Sequence, residues 1–311
     1  MASVAVIGEL NLDLIVLGAG RFPQPGEELI VDEMVLTLGS SSAIIACQLA
    51  KLEGDVLFVS KTGEDNLGRI ALDFLREKGV PTDAIMVDRS LPSGLTISVA
   101  LAGDRAMMTG MGCIEELRYD DIAFELLRGR KHLHISSFYL QRGIQPDVWR
   151  IFERAHEMGL TTSFDTGWPS SGQVNGDLEK AWPHVDVFLP NEAEVVALSG
   201  RPDVDSAMEW FARRVSTVAV KLGADGAMAR RADQIVKRPA FVIDVVETTG
   251  AGDSFNGGFV HGWLAGMELG DCLDLGNACG ALSTRAPGGT TSHASLAEAM
   301  EFVRTAGRRN G

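Results

Sequence analysis

The chain has 311 residues, 45% of them hydrophobic, enough to bury a sizeable core. Its 42 acidic against 28 basic residues leave a formal charge of −14, and no basic run exceeds Arg128-Gly129-Arg130-Lys131, so nucleic acid is not an expected partner. The opening lacks a basic flank leading into a long apolar stretch, and nowhere do about 18 apolar residues follow one another. The expectation is a cytoplasmic protein with no membrane partner.

Short apolar runs at residues 4–7, 56–59, 132–135, 161–164, 185–189 and 215–220 read as strands buried on both faces. Between them, residues 66–78 set Leu67, Ile70, Ala71, Phe74 and Leu75 on one helical face, and residues 146–158 do the same with Val148, Ile151, Phe152 and Ala155. This alternation predicts a Rossmann-like, doubly wound α/β fold with a mostly parallel sheet. Two stretches, at about 12–38 and 94–112, lack helical spacing, and the second reads as a hairpin turning at Gly103-Asp104. We expect one continuous α/β chain, 1–311, from which these stretches project as a small β-sheet. That sheet is either a lid over a site or surface decoration. The C-terminal third is helical, with Phe255, Phe259 and Trp263 at i, i+4 and i+8. Cys47, Cys113, Cys272 and Cys279 form no CxxC pair and are expected as buried free thiols.

Complete GxxxxGK[ST], GxGxxG, HExxH and GxSxG patterns are absent. What remains is Thr248-Thr249-Gly250-Ala251-Gly252-Asp253-Ser254-Phe255, small residues between a β-like run and the Phe255 helix. Backbone N–H groups of Gly250, Ala251 and Gly252 at a helix start, helped by the helix dipole, form an anion site. Asp253 beside them can take a proton from an attacking hydroxyl, or it can merely cap the helix. His132 and His134 alternate on one strand face without a third ligand at metal spacing, which favours packing.

The Thr248 to Phe255 segment resembles the DTTGAGDxF signature of the ribokinase-like (PfkB) carbohydrate kinases. Four other segments resemble family elements in order: Gly8-Glu9-Leu10-Asn11-Leu12-Asp13, Pro25-Gly26-Glu27, Gly63-Glu64-Asp65-Asn66-Leu67-Gly68 and Leu189-Pro190-Asn191-Glu192-Ala193-Glu194. Val220-Lys221-Leu222-Gly223-Ala224-Asp225-Gly226 is similar to the family's nucleotide loop. The resemblance implies a ribokinase-like core with a β lid that also forms the contact of a homodimer, and transfer of phosphate from ATP, with Mg²⁺, to a sugar hydroxyl. It makes Asp253 the base and Gly250, Ala251 and Gly252 the anion hole. Asn11 and Asp13 hold sugar hydroxyls; Asn191, Lys221, Gly223, Gly226 and Asn277 meet the nucleotide; Glu194 organises Mg²⁺ through water. Without the resemblance, Asn191 and Glu194 read as a helix capping box.

The chain departs from the family pattern after the lid, in Gly39-Ser40-Ser41-Ser42-Ala43-Ile44, where Ser40 replaces a glycine and Ile44 a substrate-binding asparagine. Gly39, Ser40 and Ser41 are still expected at the substrate, with the serines supplying substitute hydrogen bonds. Glu247 replaces the signature's first aspartate and Arg285-Ala286-Pro287-Gly288-Gly289 departs from the family's cation loop, which leaves potassium activation open. Arg105 is the one lid-borne cation proposed to meet substrate. The expected acceptor is a ketohexose, a pentose or a keto-deoxy sugar acid rather than a phosphosugar. A nucleoside kinase and a non-catalytic sugar or nucleotide sensor are the alternatives.

Overall fold

The computed structural model describes residues 2–101, 104–168 and 178–309, with the side chains of residues 104 and 105 also outside the description. The chain starts with β1 (Ser3–Ile7), whose alternate residues enter two cores: Val4 and Val6 on one side, Ala5 and Ile7 on the other. It then leaves for β2 (Asn11–Gly20) and β3 (Glu33–Leu38) and returns through α1 (Ser41–Lys51), β4 (Asp55–Gly63), α2 (Asn66–Glu77) and β5 (Ile85–Asp88). A second excursion makes the hairpin β6 (Gly94–Leu101) and β7 (Asp104–Gly110).

The chain then adds β8 (His132–Ile135), α3 (Val148–Glu157), β9 (Thr161–Phe164), α4 (Leu178–Ala181), β10 (Val187–Phe188), α5 (Glu192–Ser199) and α6 (Val204–Phe211). β11 (Thr217–Lys221), β12 (Ala227–Arg231) and β13 (Gln234–Arg238) finish the main sheet, and α7 (Ala251–Leu264), α8 (Leu269–Ser283) and α9 (Leu296–Thr305) follow.

The main sheet has nine strands in the order β13-β12-β11-β10-β9-β8-β1-β4-β5, parallel from β11 to β5 and antiparallel at the β12–β13 edge. Helices cover both faces. One core gathers Phe152, Phe164, Phe188 and Phe211 beside α3, α5 and α6. The other gathers Phe58, Phe255 and Phe259 beside α1, α7 and α8. The continuous apolar strands seen in the sequence are the consequence of this double cover. The run at 185–189 is a strand only over Val187–Phe188. A short helical turn over Trp182–His184 precedes it and Pro190, which has no N–H, follows.

The two excursions meet in a second sheet of order β3-β2-β6-β7, with β2 and β6 parallel and the outer pairs antiparallel. The β6–β7 turn at 102–103 lies outside the described residues. Asp65 fastens the main sheet to this one: it caps α2 through the Gly68 N–H at 2.8 Å and accepts from Ser93 N and Oγ at 2.8 and 2.7 Å, just before β6. Among the described residues no helix is long and apolar enough to cross a membrane.

Candidate active site

Parallel strands deliver their C-terminal ends to one edge, and chemistry in open α/β sheets collects there. At that edge lie Glu9 after β1, Asp165 after β9, Asn191 after β10 and Lys221 at the end of β11. α7 starts nearby. Gly250 is its N-cap at φ 76, a left-handed conformation that glycine adopts without strain. A Cβ on Gly250 would stand 2.7 Å from Gly289 Cα and 3.1 Å from Ile44 Cδ1, so the turn is packed against α1 and the 288–289 loop with no room for a side chain. Ala251 donates its N–H to Thr248 O at 3.2 Å, because the turn closes on itself there. Asp253 is the third residue of the helix, in its first turn.

The Lys221 ammonium lies across this start: a Cβ on Gly252 would be 3.7 Å from its Nζ. Nζ donates to Asp165 Oδ2 at 2.7 Å and Asn256 Oδ1 at 3.2 Å, and Asn256 Nδ2 donates to the same Asp165 oxygen at 2.6 Å. Burial alone would raise the Asp165 carboxyl, but the Lys221 charge and these donors hold it below the ordinary value. Burial likewise opposes the Lys221 charge, and the carboxylates of Asp165 and Glu194 overcome it, raising its pKa. Glu194 is pushed up to about 7, first by burial and then by the neighbouring Asp165 charge, with Lys221 opposing and Asp253 adding to the rise. Asp253 is thus close enough to be felt at both Glu194 and Lys221.

Asn191 and Glu194 do form the capping box that their spacing suggests: Glu194 N donates to Asn191 Oδ1 at 2.9 Å and Asn191 N to Glu194 Oε2 at 2.8 Å. Asn191 also pairs with Lys221 through an isolated backbone bridge, and the Glu194 carboxyl lies close enough to feel the charges of Asp165 and Lys221. Capping and site-building coincide here.

On the opposite wall, Asn11 Nδ2 donates to Asp13 Oδ1 at 3.0 Å and to Thr96 Oγ1 at 3.3 Å. Gly39 crosses directly over this pair, and a Cβ there would sit 2.1 Å from Asp13 Oδ1 and 2.7 Å from Asn11 Nδ2. Ser40 keeps a glycine-like φ of 71, and its hydroxyl is turned inward, donating to Glu9 O and accepting from Ala43 N at 3.0 Å as the cap of α1. Ser42 Oγ donates to Glu9 Oε2 at 2.6 Å. The substitute hydrogen bonds expected of the serines are therefore spent inside the protein at Ser40 and Ser42, and Ser41 alone stays half-buried at the first position of α1. Ile44 is buried between Gly250 and Gly289, where it walls the turn before α7.

Gly223 and Gly226 shape the β11–β12 turn at φ 58 and 93, and a Cβ on Gly226 would strike Arg238 O at 2.1 Å. Asn277 Nδ2 donates to that carbonyl and to Pro239 O at 3.3 and 3.4 Å, so both nucleotide candidates converge on residues 238–240. Glu247 joins the two loops of the signature region, accepting from Thr249 N at 2.7 Å and Gly288 N at 3.3 Å. The Arg105 side chain lies outside the described residues.

His132 and His134 sit in a buried chain running from Thr161 through His132, Ser163 and His134 to Ser136, each link 2.7 or 2.8 Å. Burial drives their pKa values down to about 3 and about 4, so both rings are neutral packing groups.

Sequence reasoning missed Asp165, Asn256, Glu9 and Thr96. Asp165 carried a usable signal, an acid immediately after a buried strand. Asn256 stands one turn past Asp253 and Glu9 directly after β1, while Thr96 had no signal apart from strand pairing.

A family model described as pfkB family carbohydrate kinase matches residues 1–295. An uncharacterized sugar kinase of Archaeoglobus fulgidus is 32% identical over 229 residues, covering 74% of this chain and 91% of that protein. The ATP-dependent ribose-1-phosphate kinase of Halopiger xanaduensis is 31% identical over 285 residues, covering 91% of this chain and 92% of the relative. A ribokinase structure from Thermotoga maritima superposes with a TM-score of 0.83 at 25% identity, over 98% of this chain and all of that one. The chain belongs to the pfkB family of carbohydrate kinases.

Proposed function

We propose that the chain transfers the γ-phosphoryl group of ATP to a hydroxyl of a small sugar or sugar acid, with a ketohexose, a pentose or a keto-deoxy sugar acid as acceptor. The supporting observation is the place of Asp253, in the first turn of α7, beside the charged cluster of Lys221, Asp165 and Glu194. ATP dependence accords with the Halopiger relative's name.

In this mechanism the Asp253 carboxylate takes the proton of the attacking hydroxyl as its oxygen bonds to phosphorus. The bond to the β–γ bridging oxygen breaks and its electron pair leaves on ADP. The amides of Gly250, Ala251 and Gly252 receive the oxygens of the group in transit, Ala251 by exchanging its 3.2 Å bond to Thr248. Lys221 adds positive charge at the same place, and Asp165 with Asn256 holds its ammonium there. Asn191, Gly223, Gly226 and Asn277 border the nucleotide; Asn11, Asp13, Gly39 and Ser41 border the sugar.

Among the described residues no three His, Cys, Asp or Glu side chains form a metal cage. Mg²⁺ keeps waters and needs few protein carboxylates when a triphosphate supplies the rest. Glu194 is the residue that would hold it, through water. When bound, the ion neutralises phosphate charge. The monovalent cation of the resemblance belongs to the loops that Glu247 already joins, and comparing rates in potassium and sodium buffers tests whether it acts here. Closure of the second sheet as a lid would exclude water from the transfer. A cytoplasmic setting supplies ATP and keeps the four buried cysteines as thiols.

ADP release from MgATP across ketohexoses, pentoses, sugar acids and nucleosides tests this reading, with Asp253→Asn as the control. The expected result is turnover on a sugar, reduced about 10²- to 10⁴-fold in the variant. An equally active variant, or turnover on nucleosides alone, sinks it.

A further inference from the structure

Gly226 and Asn277 both pack against one short stretch of backbone, residues 238–242, where the chain leaves β13. Backbone outside a sheet ladder keeps its shape only when its groups find partners elsewhere. Here the partners come from two directions. From α8, Asn277 takes the carbonyls of Arg238 and Pro239, and one turn earlier Asp274 accepts from Arg238 Nε at 3.3 Å. From beyond α9, residues 307–309 run antiparallel to 240–242: Val242 N donates to Gly307 O and Arg309 N to Ala240 O, both at 2.8 Å.

The Arg308 side chain ties the two directions together. Its guanidinium donates to the other Asp274 oxygen at 2.6 Å and lies 4.5 Å from the centre of the Phe241 ring. Asp274 is only 9% exposed, so one buried carboxylate holds Arg238 on one oxygen and Arg308 on the other. Phe241 is itself buried and packs on Phe302 of α9. A Cβ on Gly270 would stand 2.3 Å from Arg238 Nη2, so the Arg238 guanidinium is seated directly on the first turn of α8.

A segment after a last helix can do no more than cover the edge of a core. Two observations separate residues 307–309 from that ordinary case. Their backbone bonds go to the nucleotide wall itself, and the Arg308 charge goes to a carboxylate that the wall shares through Arg238.

We propose that Arg308 is a positioning residue for the nucleotide: it latches residues 307–309 onto 238–242 and so holds the wall behind Gly226 and Asn277 in its binding-competent shape. This rests on the placement of ATP in the kinase reading. A wall that is competent for only part of the time raises the dissociation constant in proportion. The sugar candidates Asn11 and Asp13 stand on the second sheet, away from these bonds. Loss of Arg308 should therefore weaken the nucleotide and spare the sugar.

Titration calorimetry of MgADP into the wild type, Arg308→Ala, Arg308→Lys and Asp274→Asn tests the latch, with KM for MgATP and for the acceptor sugar measured beside it. Arg308→Ala is expected to bind MgADP roughly 3- to 10-fold more weakly and to raise the KM for MgATP alike, with kcat and the sugar KM unchanged. Arg308→Lys keeps a charge for Asp274 and recovers part of the affinity. Asp274→Asn weakens the hold on both guanidiniums and loses at least as much as Arg308→Ala. Deuterium exchange at the Val242 amide should quicken in Arg308→Ala while the main sheet stays protected. Equal MgADP affinity in Arg308→Ala and wild type overturns the proposal. So does a sugar KM that rises as much as that for MgATP, or exchange that quickens throughout the chain, since either makes Arg308 a residue of general stability. A wild type that binds MgADP in an Arg308-dependent way yet transfers phosphate to no sugar upholds the latch and sinks the kinase reading instead.

Discussion

Glu9 is a carboxyl buried at the end of β1, facing the hydroxyls of Ser42 and Ser137. Burial raises its pKa from the ordinary 4.5 to about 7, with those hydrogen bonds only partly opposing the shift. A raised acid pKa means that the folded protein holds a proton which the unfolded chain has already lost. The stabilisation is complete below about 4.5 and is lost as pH rises through about 7, where the ionised group becomes a buried charge. Glu9→Gln keeps the shape and removes the titration. Urea unfolding at pH 5.5 and 8.0 should show the wild type losing about 2 kcal/mol relative to the variant across that interval. Glu194 titrates in the same range but is present in both proteins, so the difference isolates Glu9. Parallel pH profiles would show that Glu9 is solvated in a way that its burial does not allow.

At the scale of the element, α7 is bracketed by two left-handed glycines with different reasons to exist. Gly250 at φ 76 is hemmed in by Gly289 and Ile44, whereas Gly266 at φ 75 faces open space. Gly266→Ala should pay only the left-handed strain of about 1–2 kcal/mol and keep its turnover. Gly250→Ala pays that strain and must also push the 288–289 loop away from the helix start, so its kcat should fall about 10²- to 10³-fold. Thermal melts and kcat on the two variants check this, and equal losses of rate in both would remove Gly250 from the anion hole. The sequence made this helix legible because Phe255 and Phe259 repeat at four residues and Gly250 to Gly252 stand before them. The charged cluster beside it was only half legible. Lys221, Asn191 and Glu194 sit in recognisable local motifs, but Asp165 meets Lys221 across a gap of 56 residues. The pairing of Asp13 with Thr96 in the second sheet was hidden for the same reason: the two are neighbours through strand register alone, which no local pattern specifies.

At the scale of the whole molecule, the second sheet has two open edges, β3 and β7, since each pairs on one side only within the sheet order. Exposed strand edges and apolar surface together invite a partner strand or face. Phe22, Ile30, Met34, Leu36, Met107 and Met108 are all exposed on or beside this sheet, with Ile30 at 89% and Met34 and Met107 at 59%. A second copy of the chain is the partner that we propose for this exposed apolar surface. Sedimentation equilibrium at tens of micromolar should then give a dimer for the wild type and a monomer for Met34→Glu/Met108→Glu. The variant should still melt cooperatively, because the two substituted methionines are exposed and contribute little to either core. A wild type that sediments as a monomer would leave these side chains as an uncovered apolar edge, and the second sheet would have to act on substrate within one chain.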